Sequence, residues 1–178
     1  MYTAVIVVGS VLGLLIVGLL GWLATLPSTF QVTRTRKIQA SPSTLYEAIR
    51  DFEHWRDWSA WLVHEPSTTV ECSPNFRDEG GWHLWRGAKI GSGKITHVKF
   101  VTNESIEQKI EFLSPHRSES DVFWEFRPAG EETEVIWSMC GKLPFFFRWF
   151  GSLMDSMIGK DFEFGLARLA MYVGDSRS

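Results

Sequence analysis

The first 33 residues carry no Asp, Glu, Lys or Arg, and all 18 basic and 21 acidic side chains follow from Arg34 onward. Within that stretch, Ala4–Leu26 is an almost unbroken run of Val, Ile, Leu, Gly and Ala. At 1.5 Å rise per residue the run makes a helix of roughly 34 Å, enough to cross a hydrocarbon core of about 30 Å. A cleaved leader would need a basic start, a shorter apolar stretch and a small-x-small exit. Here the chain starts Met-Tyr-Thr, and the run ends Ala24-Thr25-Leu26-Pro27. A helix buried in a core would show a polar face, and this one has none. The expectation is a retained anchor and short linker over residues 1–29, one water-facing domain over 30–174, and a tail over 175–178.

Orientation follows from the flanking bases. Arg34, Arg36 and Lys37 lie after the span, and only the α-amino group lies before it. The positive-inside rule then predicts a single-pass protein of the cell membrane with its domain in the cytoplasm. Gly9-x-x-x-Gly13 offers a helix-pairing face to a partner. Cys72 and Cys140 are too few for a disulfide framework and are expected as reduced core residues. Only Pro27, Ser28 and Thr29 separate Leu26 from Phe30, a reach of about 10 Å. The domain must sit against the membrane surface.

The formal charge is −3 and no basic stripe appears, so nucleic acid is not a partner. Aromatics are abundant, with 13 Phe, 9 Trp and 3 Tyr. They imply a rich core or a lined cavity, because ligand pockets are mostly apolar and aromatic.

Phe30–Ala40 alternates and contains β-formers, predicting a strand. Ser41-Pro42 is a helix start, with Leu45, Ala48 and Ile49 on the apolar face. A second short helix or turn carries His54–Trp61. Strands are expected near 68–73, 81–87, 93–101, 105–113, 118–127 and 132–142, spaced as an antiparallel meander. After Pro144, Phe150, Leu153, Met154, Met157, Ile158, Phe162, Leu166, Leu169 and Tyr172 give one long amphipathic helix. The fold class is α+β: a curved antiparallel sheet wrapped on a long C-terminal helix, leaving a cavity between them.

Strand parity places His97 with Ile95, and Gln108 with Ile106, Ile110 and Phe112, on the inner face. A turn near Thr102–Asn103 sets His97 near Gln108 or Ile110. A turn near Gly130 sets Trp124 opposite Trp137. His97 is read as a satisfied core histidine, as a contact that orients a ligand head group, or as a general base. No partner carboxylate stands at a diagnostic spacing. His54, His64, His83 and His116 are scattered, and no metal or cofactor is expected. Asp155 and Asp161 face water or a sheet-edge hydrogen bond. Trp55, Trp58 and Trp61 form a lid over the cavity or an interfacial membrane contact. Phe145-Phe146-Phe147 flanks the cavity mouth near the lipid or staples the helix start to the sheet.

Several motifs resemble a known family. Ile38-x-Ala40-Ser41-Pro42 with Ala48-Ile49-x-Asp51 is similar to the opening of the START-like helix-grip superfamily (SRPBCC). Trp55-x-x-Trp58-Ser59-x-Trp61 resembles the tryptophan cluster of its polyketide cyclase/dehydrase-type bacterial branch. So do Trp85-x-Gly87, Gly91-Ser92-Gly93-Lys94-Ile95, Ile110-x-Phe112-x-x-Pro115, Trp137-x-Met139-x-Gly141 and Ile158-Gly159-x-Asp161-Phe162-Glu163-x-Gly165-Leu166. The resemblance runs from about Phe30 to Val173 and implies a helix-grip cavity. Its expected wall is Trp55, Trp58, Trp61, Ile95, His97, Gln108, Ile110, Trp124, Trp137, Met139, Met157 and Phe162. The superfamily spans lipid carriers, quinone-binding proteins, hormone receptors and cyclases, so it implies no one function. The first expectation is a membrane-anchored binder of a hydrophobic small molecule or lipid. The alternatives are a cyclase/dehydratase enzyme and a membrane assembly factor without a ligand.

Overall fold

The computed structural model describes residues 2–175, leaving aside the side chains of Thr3, Ala4, Val5, Val8 and Asp175. The expected tail therefore lies, from Ser176 on, outside the described residues. Helix α1 spans Tyr2–Thr25. Its described apolar side chains are exposed except Leu23, at the end where α1 packs against a 3-10 turn, Phe145–Phe150. Over the described residues alone, no helix is long and apolar enough to cross a membrane. In α1 the described side chains are continuous only from Gly9 to Thr25, about 25 Å at 1.5 Å per residue. Gly9 and Gly13 face open space.

The domain opens with β1, Thr29–Ile38. Helix α2, Pro42–Arg50, starts where expected: Ser41 Oγ accepts the Thr44 N–H at 3.2 Å, and Leu45, Tyr46, Ala48 and Ile49 are buried. A 3-10 turn, Phe52–His54, leads into α3, Trp55–Trp58, and α4, Ala60–His64. The meander follows: β2 Thr69–Cys72, β3 Trp82–Arg86, β4 Ser92–Val101, β5 Ser105–Ser114, β6 Ser118–Ala129 and β7 Glu132–Lys142. Sheet order is β1-β7-β6-β5-β4-β3-β2, antiparallel throughout. The first strand thus returns beside the last, and the curved sheet wraps α5, Gly151–Asp175, as a helix-grip fold requires. Cys72 and Cys140 are free and half-buried, on strands five positions apart in the sheet.

Two features seat α5. Phe162, Leu166, Leu169 and Val173 form its buried stripe. Arg34 on edge strand β1 donates to Asp155 at 2.8 Å and Glu163 at 2.7 Å. This pairing raises the arginine pKa and lowers that of Asp155. Gly159 lies under that guanidinium, where any Cβ would collide with it. The sheet-edge reading of Asp155 holds, and Arg34 is neutralised rather than free.

The helical stripe needs one correction. Leu153 and Met157 are exposed, Met157 by 57%. At 100° per residue, Met157 sits about 150° from the centre of the Phe162–Val173 stripe. A 3-10 turn also occupies Phe145–Phe150, so the apolar phase that reads as continuous from Phe150 is reset at Gly151.

Candidate functional site

The inner-face polar pair forms as parity predicts. His97 faces Gln108 across β4 and β5, and a bulge at Val98 turns both His97 and Phe100 inward. The Trp124 indole N–H donates to Gln108 Oε1 at 3.0 Å, so the Gln108 amide must donate to His97 Nδ1, at 3.2 Å. His97 Nε2–H then donates to the Arg50 carbonyl at 3.0 Å. The ring stacks on Phe52 at 3.9 Å, and burial pushes its pKa down to about 4. His97 is a neutral, fully satisfied core residue. Both its nitrogens are committed, which leaves none to take a substrate proton.

Rings fill the space where the cavity was expected. Trp124 and Trp137 stack at 4.2 Å as the predicted cross-strand pair, and Trp137 stacks on Phe162 of α5 at 3.8 Å. The void left among Trp55, Trp61, Ile95, Gln108, Ile110, Met139 and this stack is about 10 Å³, room for about one water. Trp58, His97 and Met157 do not line it. Trp58 is buried behind Trp55, and Met157 points away from the sheet.

The tryptophan cluster is core rather than an interfacial surface. Trp55 and Trp58 are buried, and the Trp55 indole donates to the Ile49 carbonyl at 2.9 Å. Trp61 is half-buried, and its indole donates to Asp161 at 3.2 Å. The exposed rings are elsewhere. In the Phe145–Phe150 turn, Phe146 is 67% exposed and Phe147 56%, with Trp149 beside them. The stapling role fails for these two. Their turn instead forms one wall of an open groove of about 670 Å³ between the start of α5 and the β1, β5, β6 and β7 strand ends. Phe30, Phe112, Met139, Phe150, Met154 and Ile158 supply its apolar surface, and Arg117 and Lys142 lie at its rim. Concavities of about 400 and 640 Å³ elsewhere have walls that mix charged and hydroxyl groups with apolar ones.

Two buried polar residues have no periodic signature in the sequence. Glu65 folds its carboxylate under the Gly87–Gly91 loop and accepts the N–H groups of Ala88, Lys89 and Ile90 at 2.8–3.2 Å. These bonds lower its pKa. His83 on β3 packs among Phe52, Trp55 and Trp85, and burial takes its pKa down to about 4. Among the described residues no cluster of three potential metal ligands occurs.

A family model described as polyketide cyclase / dehydrase and lipid transport matches residues 29–174. No curated protein matches the chain. An uncharacterised protein of Rhizobium leguminosarum has a similar structure, with a TM-score of 0.64 at 17% identity over 83% of this chain and 95% of that one. A protein of Chromobacterium violaceum aligns with a TM-score of 0.60 at 14% identity, over 83% of this chain and 97% of that one. DynU16, from the dynemicin biosynthetic locus, aligns with a TM-score of 0.57 at 14% identity, over 81% of this chain and 47% of that one. At these identities the likeness is one of fold.

Proposed function

The chain belongs to the polyketide cyclase / dehydrase and lipid transport family, and from that premise we propose that it is a membrane-anchored binder of an apolar small molecule or lipid drawn from the adjacent bilayer. One observation carries the reading: the apolar groove opens at the end of the domain where α1 attaches. The same Phe145–Phe150 turn packs on α1 and walls the groove. The anchor itself rests on sequence, an uncharged helix of 24 residues or about 36 Å. The exposed Phe146, Phe147 and Trp149 suit the interfacial zone beside it, where aromatic rings concentrate. Arg36 and Lys37, exposed and unpaired with α5, favour a cytoplasmic domain. Burial of ligand surface at roughly 25 cal/mol per Å² supplies the affinity.

The test is native mass spectrometry of the full chain purified from membranes, beside Met154→Trp, which obstructs the groove with a larger ring. The wild type should carry an extractable apolar molecule and the variant should not. Repeatedly empty wild-type protein would overturn the reading. DynU16's origin in a biosynthetic locus favours a second reading, a cyclase/dehydratase acting on a polyketide-like chain. His97 is the wrong residue to carry it, and turnover surviving His97→Phe would leave that reading in need of another base. Pairing of α1 through Gly9 and Gly13 would add a partner helix without altering the groove.

A further inference from the structure

Beside the central void lies a narrow cleft of about 30 Å³ between α4 and the β3–β4 hairpin. Trp55, Trp61, Trp85 and Ile90 are among its walls, and Ser59 and His83 are its polar members. His83 is only 2% exposed. Outside its own backbone, neither ring nitrogen has a hydrogen-bond partner among the described residues. A neutral imidazole offers one N–H and one lone pair, and native cores seldom leave both unmatched. The contrast with His97, whose two nitrogens are both engaged within the same core, is internal to this chain.

The cleft adjoins the central void, and the void adjoins the groove. The cleft shares Trp55, Trp61, Ile95 and Ile110 with the central void, and the void shares Met139 with the groove. The three spaces are thus neighbours along one line, from the groove, past the buried Met139 and the edge of the Trp124–Trp137–Phe162 stack, to His83. Met139 separates groove from void, and an unbranched thioether is the side chain best able to move aside. No ionised group lines the void or the cleft. A charged head group would be stranded there without a counter-charge.

We propose that this line is the seat of the ligand and that His83 is its hydrogen-bonding anchor, selecting an elongated apolar molecule that ends in an uncharged polar group such as an alcohol or a carbonyl. The proposal rests on the groove reading above and adds to it the ligand's chemistry and the residue that recognises it. Ser59, buried on the facing wall, is placed to share the same head group.

The test uses the full chain in phosphatidylcholine nanodiscs with ¹⁵N-labelled histidine. Ring-nitrogen spectra are recorded during titration with 1-decanol, and with decane and decanoate for comparison. Affinities come from displacement of N-phenyl-1-naphthylamine. Decanol should shift the His83 nitrogens, decane should not, and decanoate should bind more weakly than decanol. His83→Phe should weaken decanol about tenfold and leave decane unchanged. The wild-type spectra decide the matter even if that variant folds poorly. His83 signals that ignore decanol, or that answer decane equally, would overturn the proposal and mark the cleft as a water site only. If the dye still binds and Met154→Trp still abolishes that binding, the groove reading survives and only the His83 assignment falls. If no dye binds the wild type, both fall.

Discussion

Lowering the pH from 7.5 to 5.0 should destabilise the domain through its two buried imidazoles. His83 and His97 each have a pKa of about 4 in the folded domain, against 6.5 for an unperturbed histidine, with burial the main cause. The folded state therefore binds fewer protons than the unfolded state between these values. The stability each residue contributes is full above pH 6.5 and is lost as the pH falls toward 4. Each pH unit by which a folded-state pKa differs from its unfolded value is worth about 1.4 kcal/mol, so the loss by pH 5.0 is about 2 kcal/mol for each residue and about 4 for the two. Against a typical domain stability of about 5–15 kcal/mol, that is a loss of roughly a quarter or more of the total. Carboxylates titrate nearby, so the measurement must be a difference. Urea unfolding of the full chain in mild detergent, followed by tryptophan fluorescence, is compared with His83→Phe at both pH values. The variant should lose about 2 kcal/mol less than the wild type on acidification. Equal losses would refute the reasoning, because they would mean that His83 titrates alike in both states.

Other perturbations probe separate contacts. Gln108→Leu strands the Trp124 N–H and the His97 Nδ1 in the core. At about 1–3 kcal/mol per stranded group it should cost about 2–6 kcal/mol by denaturant titration, with the helical circular dichroism signal retained. Gly159→Ala should gain about 1 kcal/mol of helix propensity only where Arg34→Ala has removed the guanidinium it meets, and less or nothing in the wild type. Inserting about 20 Gly/Ser residues after Ser28 extends the tether to roughly 25 Å and should slow loading of N-phenyl-1-naphthylamine from vesicles. Unchanged loading would remove membrane proximity from the mechanism.

Residue order encodes the scaffold more readily than the site, for a physical reason. Strand alternation and turn residues act locally, so parity alone places His97 against Gln108 and Trp124 against Trp137, both of which pair in register. Whether inward-facing rings line a cavity or fill it depends on their mutual tilt. The 4.2 and 3.8 Å stacking that closes the central space has no counterpart in residue order. Met157 is misplaced for a related reason: with Leu153 it continues the apolar run within α5 but off the face that Phe162, Leu166, Leu169 and Val173 bury. Glu65 and His83 are isolated polar residues in weakly patterned segments. Only the chain path that carries the Gly87–Gly91 loop over one, and tryptophans around the other, sets them apart. The Phe145–Phe147 run is legible as apolar. Its exposure follows from the turn that projects Phe146 and Phe147 outward.

The junction between helix and domain links these parts. The Leu143 N–H donates to the Ser28 carbonyl at 2.8 Å, which extends the β1–β7 pairing back to the residue before β1. Only Leu26 and Pro27 then lie between α1 and hydrogen-bonded sheet, and the proline fixes one of their φ angles. The buried Leu23 holds the end of α1 against the Phe145–Phe150 turn. The domain is thus attached at two points and has little freedom to pivot. Such a joint keeps one face of the domain toward whatever surrounds α1, and that face carries Phe147 and Trp149 in the groove wall with the exposed Phe146 beside them. With α1 in a bilayer, the aromatic lip needs little affinity of its own, because tethering holds it at high effective concentration beside the surface. A ligand could then pass from bilayer to groove across a few ångströms of apolar side chain and meet its polar selection only at the inner end, at His83.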